Sequence, residues 1–67
     1  MMKFDRIKFR QLLIEKGINQ RTAAKKLRTS WNYLSKICTA IHEPSLKLVN
    51  KMAKLLNVPT KNLYMEE

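Results

Sequence analysis

The chain has 67 residues, of which 14 are Lys or Arg and 5 are Asp or Glu, for a formal net charge of +9 at pH 7, and 45% of it is hydrophobic. That length excludes a multidomain protein or a large enzyme and points to one small domain over residues 1–67, which buries only about 60% of the surface its unfolded form exposes. The single cysteine, Cys38, cannot form an internal disulfide and points to a reducing compartment such as the cytoplasm, while the longest uncharged run, Thr29 to Ser35, is too short for a signal peptide or for a spanning helix of roughly 20 residues.

A charge of +9 on 7.9 kDa exceeds what solubility requires, and a polyanion is the partner it suits best. The excess is uneven: residues 1–28 hold nine Lys/Arg against Asp5 and Glu15, a net +7, whereas residues 29–67 carry +2. A solvated basic surface is the alternative reading of the same composition. A membrane surface fits poorly, because it calls for one long basic amphipathic helix and this chain is cut into several short segments.

Gly and Pro are limited to Gly17, Pro44 and Pro59, and Val, Ile and Thr never alternate with polar residues over a strand's length, so the chain reads as an all-α bundle of five helices. The first runs from about Asp5 to Lys16 and stops at Gly17, a residue suited to the left-handed conformation past a helix end; Phe9, Leu12 and Leu13 form its core stripe. Asn19 caps a second helix, Gln20 to about Leu27, which turns Ala23, Ala24 and Leu27 inward. Ser30 caps a third, Trp31 to about Cys38, with Leu34, Ile37 and Cys38 in the core and Asn32, Ser35 and Lys36 outside. Thr39 to Pro44 reads as a loop, because Pro44 disfavours helix at Glu43. Ser45 then caps a fourth helix, Leu46 to Leu56, whose Leu46, Val49, Met52, Ala53 and Leu56 share one face. Pro59 fits the first turn of a short last helix carrying Leu63 and Tyr64, and residues 65–67 read as a frayed tail.

The first helix carries an anomaly. Phe9, Leu12 and Leu13 group on one side at helical spacing, while Phe4, Ile7 and Ile14 group almost opposite. Either the C-terminal Leu63, Tyr64 and Met65 fold over this second stripe, or it is an exposed patch for a second copy or a protein partner.

Two short helices joined by the turn Arg28 to Ser30, inside a compact basic bundle, describe a helix-turn-helix at about residues 20–38. The stretch Asn19-Gln20-Arg21-Thr22-Ala23-Ala24-Lys25-Lys26-Leu27-Arg28-Thr29-Ser30-Trp31-Asn32-Tyr33-Leu34-Ser35-Lys36-Ile37 resembles the Xre/Cro-type helix-turn-helix of phage repressors and bacterial regulators. Glu15-Lys16-Gly17-Ile18 before it, and Pro44-Ser45-Leu46 and Met52-Ala53-Lys54-Leu55-Leu56-Asn57-Val58 after it, continue the likeness from about Phe9 to Leu63. The resemblance implies a lambda-repressor-like fold and a cytoplasmic transcriptional regulator, most simply a repressor, that binds double-stranded DNA at a two-fold operator as a homodimer.

On that resemblance the third helix enters the major groove, where each base pair shows a distinct pattern of donors and acceptors. Ser30, Trp31, Asn32, Ser35 and Lys36 then face the bases: Asn32 suits an adenine edge, Lys36 suits guanine O6 and N7, either serine suits both, and Trp31 suits thymine methyls or a sugar-phosphate strand. Local packing against Arg28 or Tyr33 is the alternative for Trp31. Gln20, at the N-terminus of the second helix, is the first implied phosphate contact, and Asn19, Arg21 and Thr39 are the further candidates. The charges of Arg21, Lys25, Lys26 and Arg28 attract DNA at long range whether or not each makes a contact.

Three positions depart from the family pattern. Arg28 stands where a turn glycine is usual, so either a non-glycine takes the left-handed conformation at a cost of about 1 kcal/mol or the turn differs. Thr39-Ala40 replaces the usual Asn-Gly after the third helix. Leu13 and Cys38 are both apolar where many members pair an Arg with a Glu in the interior, a double replacement that fits a working core and makes Cys38 a structural thiol.

Catalysis is not expected. His42 lies in a loop beside Glu43, one Cys and one His cannot build a zinc site, no Gly-rich phosphate cradle exists, and Ser30, Ser35 and Ser45 have no identifiable base. No cofactor, metal or small-molecule ligand is expected, nor a second domain to sense one, so control falls to protein level, proteolysis or a partner. For pairing, the Phe4, Ile7 and Ile14 stripe competes with the last two helices around Tyr64. The rival readings are an antitoxin-like interaction module that docks the first helix on a protein partner, an architectural or recombination factor of a mobile element, and an RNA binder, which lacks stacking aromatics on a sheet.

Overall fold

A computed structural model describes residues 2–66. In chain order it contains strand β1 (Met2–Phe4), helices α1 (Arg6–Glu15), α2 (Gln20–Leu27), α3 (Trp31–Cys38) and α4 (Leu46–Leu56), a 3₁₀ turn (Thr60–Leu63) and strand β2 (Tyr64–Glu66). The expected bundle is present with two differences. The fifth helix is a single 3₁₀ turn, and β1 and β2 pair antiparallel, with Met2 opposite Glu66, Lys3 opposite Met65 and Phe4 opposite Tyr64. A three-residue strand has too few positions for alternation to show, so the sequence carries no sign of the sheet. Residues 65 and 66 are therefore paired strand and not a frayed tail, and Glu67 lies outside the described residues.

The sheet also overturns the placing of Phe4 on a helical stripe, and of the two expectations for that stripe it bears out cover by the C-terminal segment at Phe4, which pairs with Tyr64. Extended geometry turns the Phe4 ring inward, where it is 1% exposed and stands 5.8 Å from the Phe9 ring between centroids. The next peptide is held as well, since the Asp5 N–H donates to the Leu63 carbonyl at 2.8 Å. Phe4 is thus core. Ile7 and Ile14 are what remains of the stripe, 62% and 79% exposed, and the C-terminal segment covers neither.

Each helix is closed at both ends by residues next to it in sequence. The side chains of Asp5, Asn19, Ser30 and Ser45 accept from the N–H groups of Lys8, Thr22, Tyr33 and Leu48 at 3.0, 2.8, 3.1 and 3.2 Å, which satisfies donors that the first turn leaves unpaired. The other ends close through left-handed residues: Gly17, Arg28, Ala40 and Asn57 have φ of 68°, 57°, 67° and 57°. Past each of them the next N–H returns to the last turn, from Ile18 to Leu13, Thr29 to Ala24, Ile41 to Lys36 and Val58 to Ala53, at 2.9–3.0 Å. Arg28 and Ala40, two of the departures from the family pattern, therefore keep the turn that glycine usually makes and bear its conformational cost.

The side chains between these ends form one cluster in which Phe9, Leu34, Ile37, Met52, Leu56 and Leu63 are among the most deeply buried. Leu13 and Cys38 are both in it, so the apolar replacement of the interior ion pair is complete on both sides. Leu46 is not. At about 100° per residue it stands at the edge of the stripe formed by Val49, Met52 and Leu56, in a first turn that nothing covers, and it is 62% exposed. Among the described residues no helix is long and apolar enough to cross a membrane.

Relief of the two strained ends is measurable. Arg28→Gly and Ala40→Gly are each expected to raise the unfolding free energy by about 0.5–1 kcal/mol, and Gly17→Ala, where a methyl meets nothing within 4 Å, to lower it by about 1 kcal/mol through backbone strain alone; urea denaturation reads all three.

Candidate nucleic-acid interface

α2 and α3 have eight residues each and are joined by the tight left-handed turn at Arg28. Ala23, Ala24 and Leu27 of α2 and Leu34, Ile37 and Cys38 of α3 face the core. Helical spacing therefore sends Trp31, Asn32, Ser35 and Lys36 to the opposite arc of α3, where Trp31, Asn32 and Lys36 are exposed and Ser35 is half-buried. Ser30 precedes them. Its oxygen accepts from the Tyr33 N–H, which leaves its own proton free to donate outward.

Asn19, Gln20 and Arg21 sit together at the first turn of α2. Asn19 uses its carbonyl oxygen as the cap and keeps its amide N–H₂ as a donor. Arg21 makes the link to α3: its guanidinium carbon lies 4.6 Å from the centroid of the Trp31 ring. Packing of Trp31 is thus real, but the partner is Arg21 and not Arg28 or Tyr33. The N-terminal turns of the two helices meet through this stack, which is the kind of cation–π contact that orients both groups. Tyr33 instead pairs with His42 of the following loop, with 5.8 Å between ring centroids.

Thr39 is apart from the others, at the far end of α3. Its hydroxyl donates to the carbonyls of Ser35 at 3.0 Å and Lys36 at 3.3 Å. A hydroxyl has one proton, so a phosphate contact there requires that internal bond to open.

Sequence reasoning missed Arg6. Its Nε donates to the Ile37 carbonyl at 3.0 Å, in the last turn of α3, and its terminal nitrogen pairs with Glu43 Oε1 at 2.7 Å. One side chain, 13% exposed, therefore supplies a donor and a positive charge to the negative end of the α3 dipole and ties down the loop that follows. A signal was available: a cation in the first turn of a helix opposes that helix's own dipole, so Arg6 needed a different partner. Partners 31 and 37 residues away cannot be named from one sequence.

Burial pushes the Cys38 thiol above its ordinary pKa, and the nearby charges of Arg10 and Arg6 offset part of that rise. The neutral thiol is the form the core accepts. Among the described residues no group of His, Cys, Asp and Glu could hold a metal ion.

The family model for helix-turn-helix proteins matches residues 9–63, from the first core ring of α1 to the last core side chain of the 3₁₀ turn. The chain belongs to the Xre/Cro-type helix-turn-helix family. Among solved structures it is similar to a candidate DNA-binding protein from Bacteroides fragilis, at 32% identity and a TM-score of 0.81, over 97% of this chain and 100% of that one. No curated protein matches it. In the family's terms α2, the turn at Arg28 and α3 are the helix-turn-helix unit, with α1 and α4 as its support.

Two measurements check this frame. Arg6→Ala is expected to destabilise by about 1.5–3 kcal/mol, because a charged donor to a helix end is lost, and Glu43→Gln by less than about 1 kcal/mol, because that partner is exposed. Cys38 should alkylate at pH 8 at least about tenfold more slowly in the native protein than in urea. The raised thiol pKa also means that its contribution to stability is full below the ordinary thiol range and is lost as pH climbs through the higher native value.

Proposed function

We propose that the protein is a sequence-specific regulator that places α3 in the major groove of double-stranded DNA and represses transcription by occupying a two-fold operator as a dimer. The observation that carries this reading is the arc of Trp31, Asn32, Ser35 and Lys36 on a capped helix whose opposite side is core, with Arg21 stacked on Trp31 at its entrance. An α-helix fits the major groove, and its N-terminal residues reach base edges. Asn32 reads adenine, Lys36 reads guanine, and Ser30 and Ser35 donate to either base type. Gln20, Asn19 and Arg21 hold the phosphates beside the N-terminus of α2, where free N–H groups and the dipole favour an anion. Family membership, the similarity to the Bacteroides fragilis protein and a charge of +9 all support DNA as the partner. The reading assigns no catalysis to the chain.

Dimerisation follows from the energetics of short readers: two copies on half-sites about 34–36 Å apart gain affinity that one module of this size rarely reaches. Ile7 and Ile14 supply the pairing surface, since they are exposed apolar residues two helical turns apart on α1. The same pair favours the second reading, an antitoxin-like module bound to a different protein. Tyr64 is half-buried against the core and offers less area.

The test is selection of bound sequences from a random duplex library at near-physiological salt, since a protein of this charge binds any DNA when salt is low. A two-fold symmetric consensus is expected, and Asn32→Ala and Lys36→Ala should each lose about 1–3 kcal/mol on it while losing far less on unrelated DNA. No enrichment, or the same enrichment after both substitutions, rejects α3 as the reader. Ile7→Ser with Ile14→Ser should shift the protein to monomer in sedimentation and weaken binding to the symmetric site; unchanged mass rejects that surface.

A further inference from the structure

At the C-terminal end of α2, about 12 Å along the helix from the turn that holds Gln20 and Arg21, two adjoining grooves open against α4. One, about 420 Å³, is lined by Lys26, Leu27, Arg28, Lys51, Lys54 and Leu55. The other, about 280 Å³, includes Arg28, Tyr33, Lys47 and Lys51. Arg28 and Lys51 line both, so the grooves form one basic surface with five cations. Among the described residues no carboxylate lines either groove, and residues 16–42 and 44–65 contain no Asp or Glu at all.

Lysines on the solvent side of an amphipathic helix are ordinary, and Lys47, Lys51 and Lys54 recur at that spacing on α4. Two features are not ordinary. Lys47 stands in the first turn of α4, where the dipole opposes a cation and no acidic residue offsets it. Arg28 occupies the left-handed region at φ 57°, where glycine is at lower energy, and that strained, basic residue lines both grooves. Stability alone favours glycine there; anion binding favours arginine.

We infer that the paired groove is a second phosphate-binding surface, for the sugar-phosphate backbone of duplex DNA outside the segment that α3 reads. Tyr33 of α3 lines the second groove, so the surface is continuous with the reading helix. Five cations in a lining that holds no carboxylate among the described residues suit a row of phosphates and not one small anion. The surface carries no base readout: it adds affinity and salt dependence and leaves sequence preference unchanged. The inference rests on the DNA-binding reading of α3 and extends it.

The experiment compares Arg28→Gly/Lys51→Gln/Lys54→Gln with a control of equal charge loss, Lys8→Gln/Lys16→Gln/Lys61→Gln, whose residues line neither groove. Binding is measured against salt on the selected site alone and on the same site with added flanks. Each phosphate contact contributes about 0.9 to the salt slope, so the groove variant should lose about 2–3 from the slope and the control less than about 1. Arg28→Gly alone should bind more weakly while it resists urea better, which separates lost contact from lost folding. A slope change on the flanked duplex only assigns the surface to the same DNA molecule. Energy transfer between two separately labelled short duplexes, lost in the groove variant, assigns it to a second duplex. Equal slope changes in the two variants overturn the inference, because the effect is then diffuse charge. If Asn32→Ala/Lys36→Ala keeps the wild-type sequence preference, the α3 reading fails while the slope comparison still decides the groove.

Discussion

Eight-residue helices do not hold together by themselves in water, because nucleation is costly and half of their N–H and C=O groups have no partner inside the helix. What closes the ends of α2 and α3 therefore decides whether a reading surface exists. The molecule meets this locally at all eight ends by side-chain caps and left-handed turns of adjacent residues, and at the C-terminal end of α3 it adds one long-range group. There the Schellman-type closure through Ala40 and Ile41 shares the last turn of α3 with the Arg6 guanidinium. Glu43, in the loop after that turn, holds Arg6 in place.

Closure of this kind leaves the outer arc of α3 free of structural duty. Among the described residues the side chains of Asn32 and Lys36 have no hydrogen-bond or ion-pair partner to surrender, and Ser30 caps with its oxygen while its proton stays available. Trp31 is the exception, because it is already engaged by Arg21. That stack links the two N-terminal turns, where the proposed DNA contacts of both helices lie. The turn at Arg28 shows the opposite balance: a residue that costs stability there puts charge on the surface.

Most of the frame was legible because short-range signals carry it. Asn19, Ser30 and Ser45 mark helix starts, Gly17 marks a stop, and the apolar spacing of Ala23, Ala24 and Leu27, or of Leu34, Ile37 and Cys38, names the inner faces that are found buried. The failures have physical causes too. Phe4 looked helical because periodicity was extended one residue past Asp5, where the chain is in fact strand and alternation replaces the helical period. Leu46 fits the core stripe by spacing, but the first turn of α4 has no neighbour over it. The partners of Arg6 and Trp31 are tertiary, and spacing along one chain holds no information about which cation lies over which ring.

The central claim is that α3 and the first turn of α2 are the surface that meets DNA. Titration of ¹⁵N-labelled protein with the selected duplex, followed by amide chemical shifts at near-physiological salt, tests it residue by residue. The largest shifts are expected at Asn19–Arg21 and Ser30–Lys36, with the indole N–H of Trp31 among them and the amides of Ile7 and Ile14 changing little in a duplex that carries one half-site. Shifts centred on α1, or spread evenly over every exposed lysine, would contradict it.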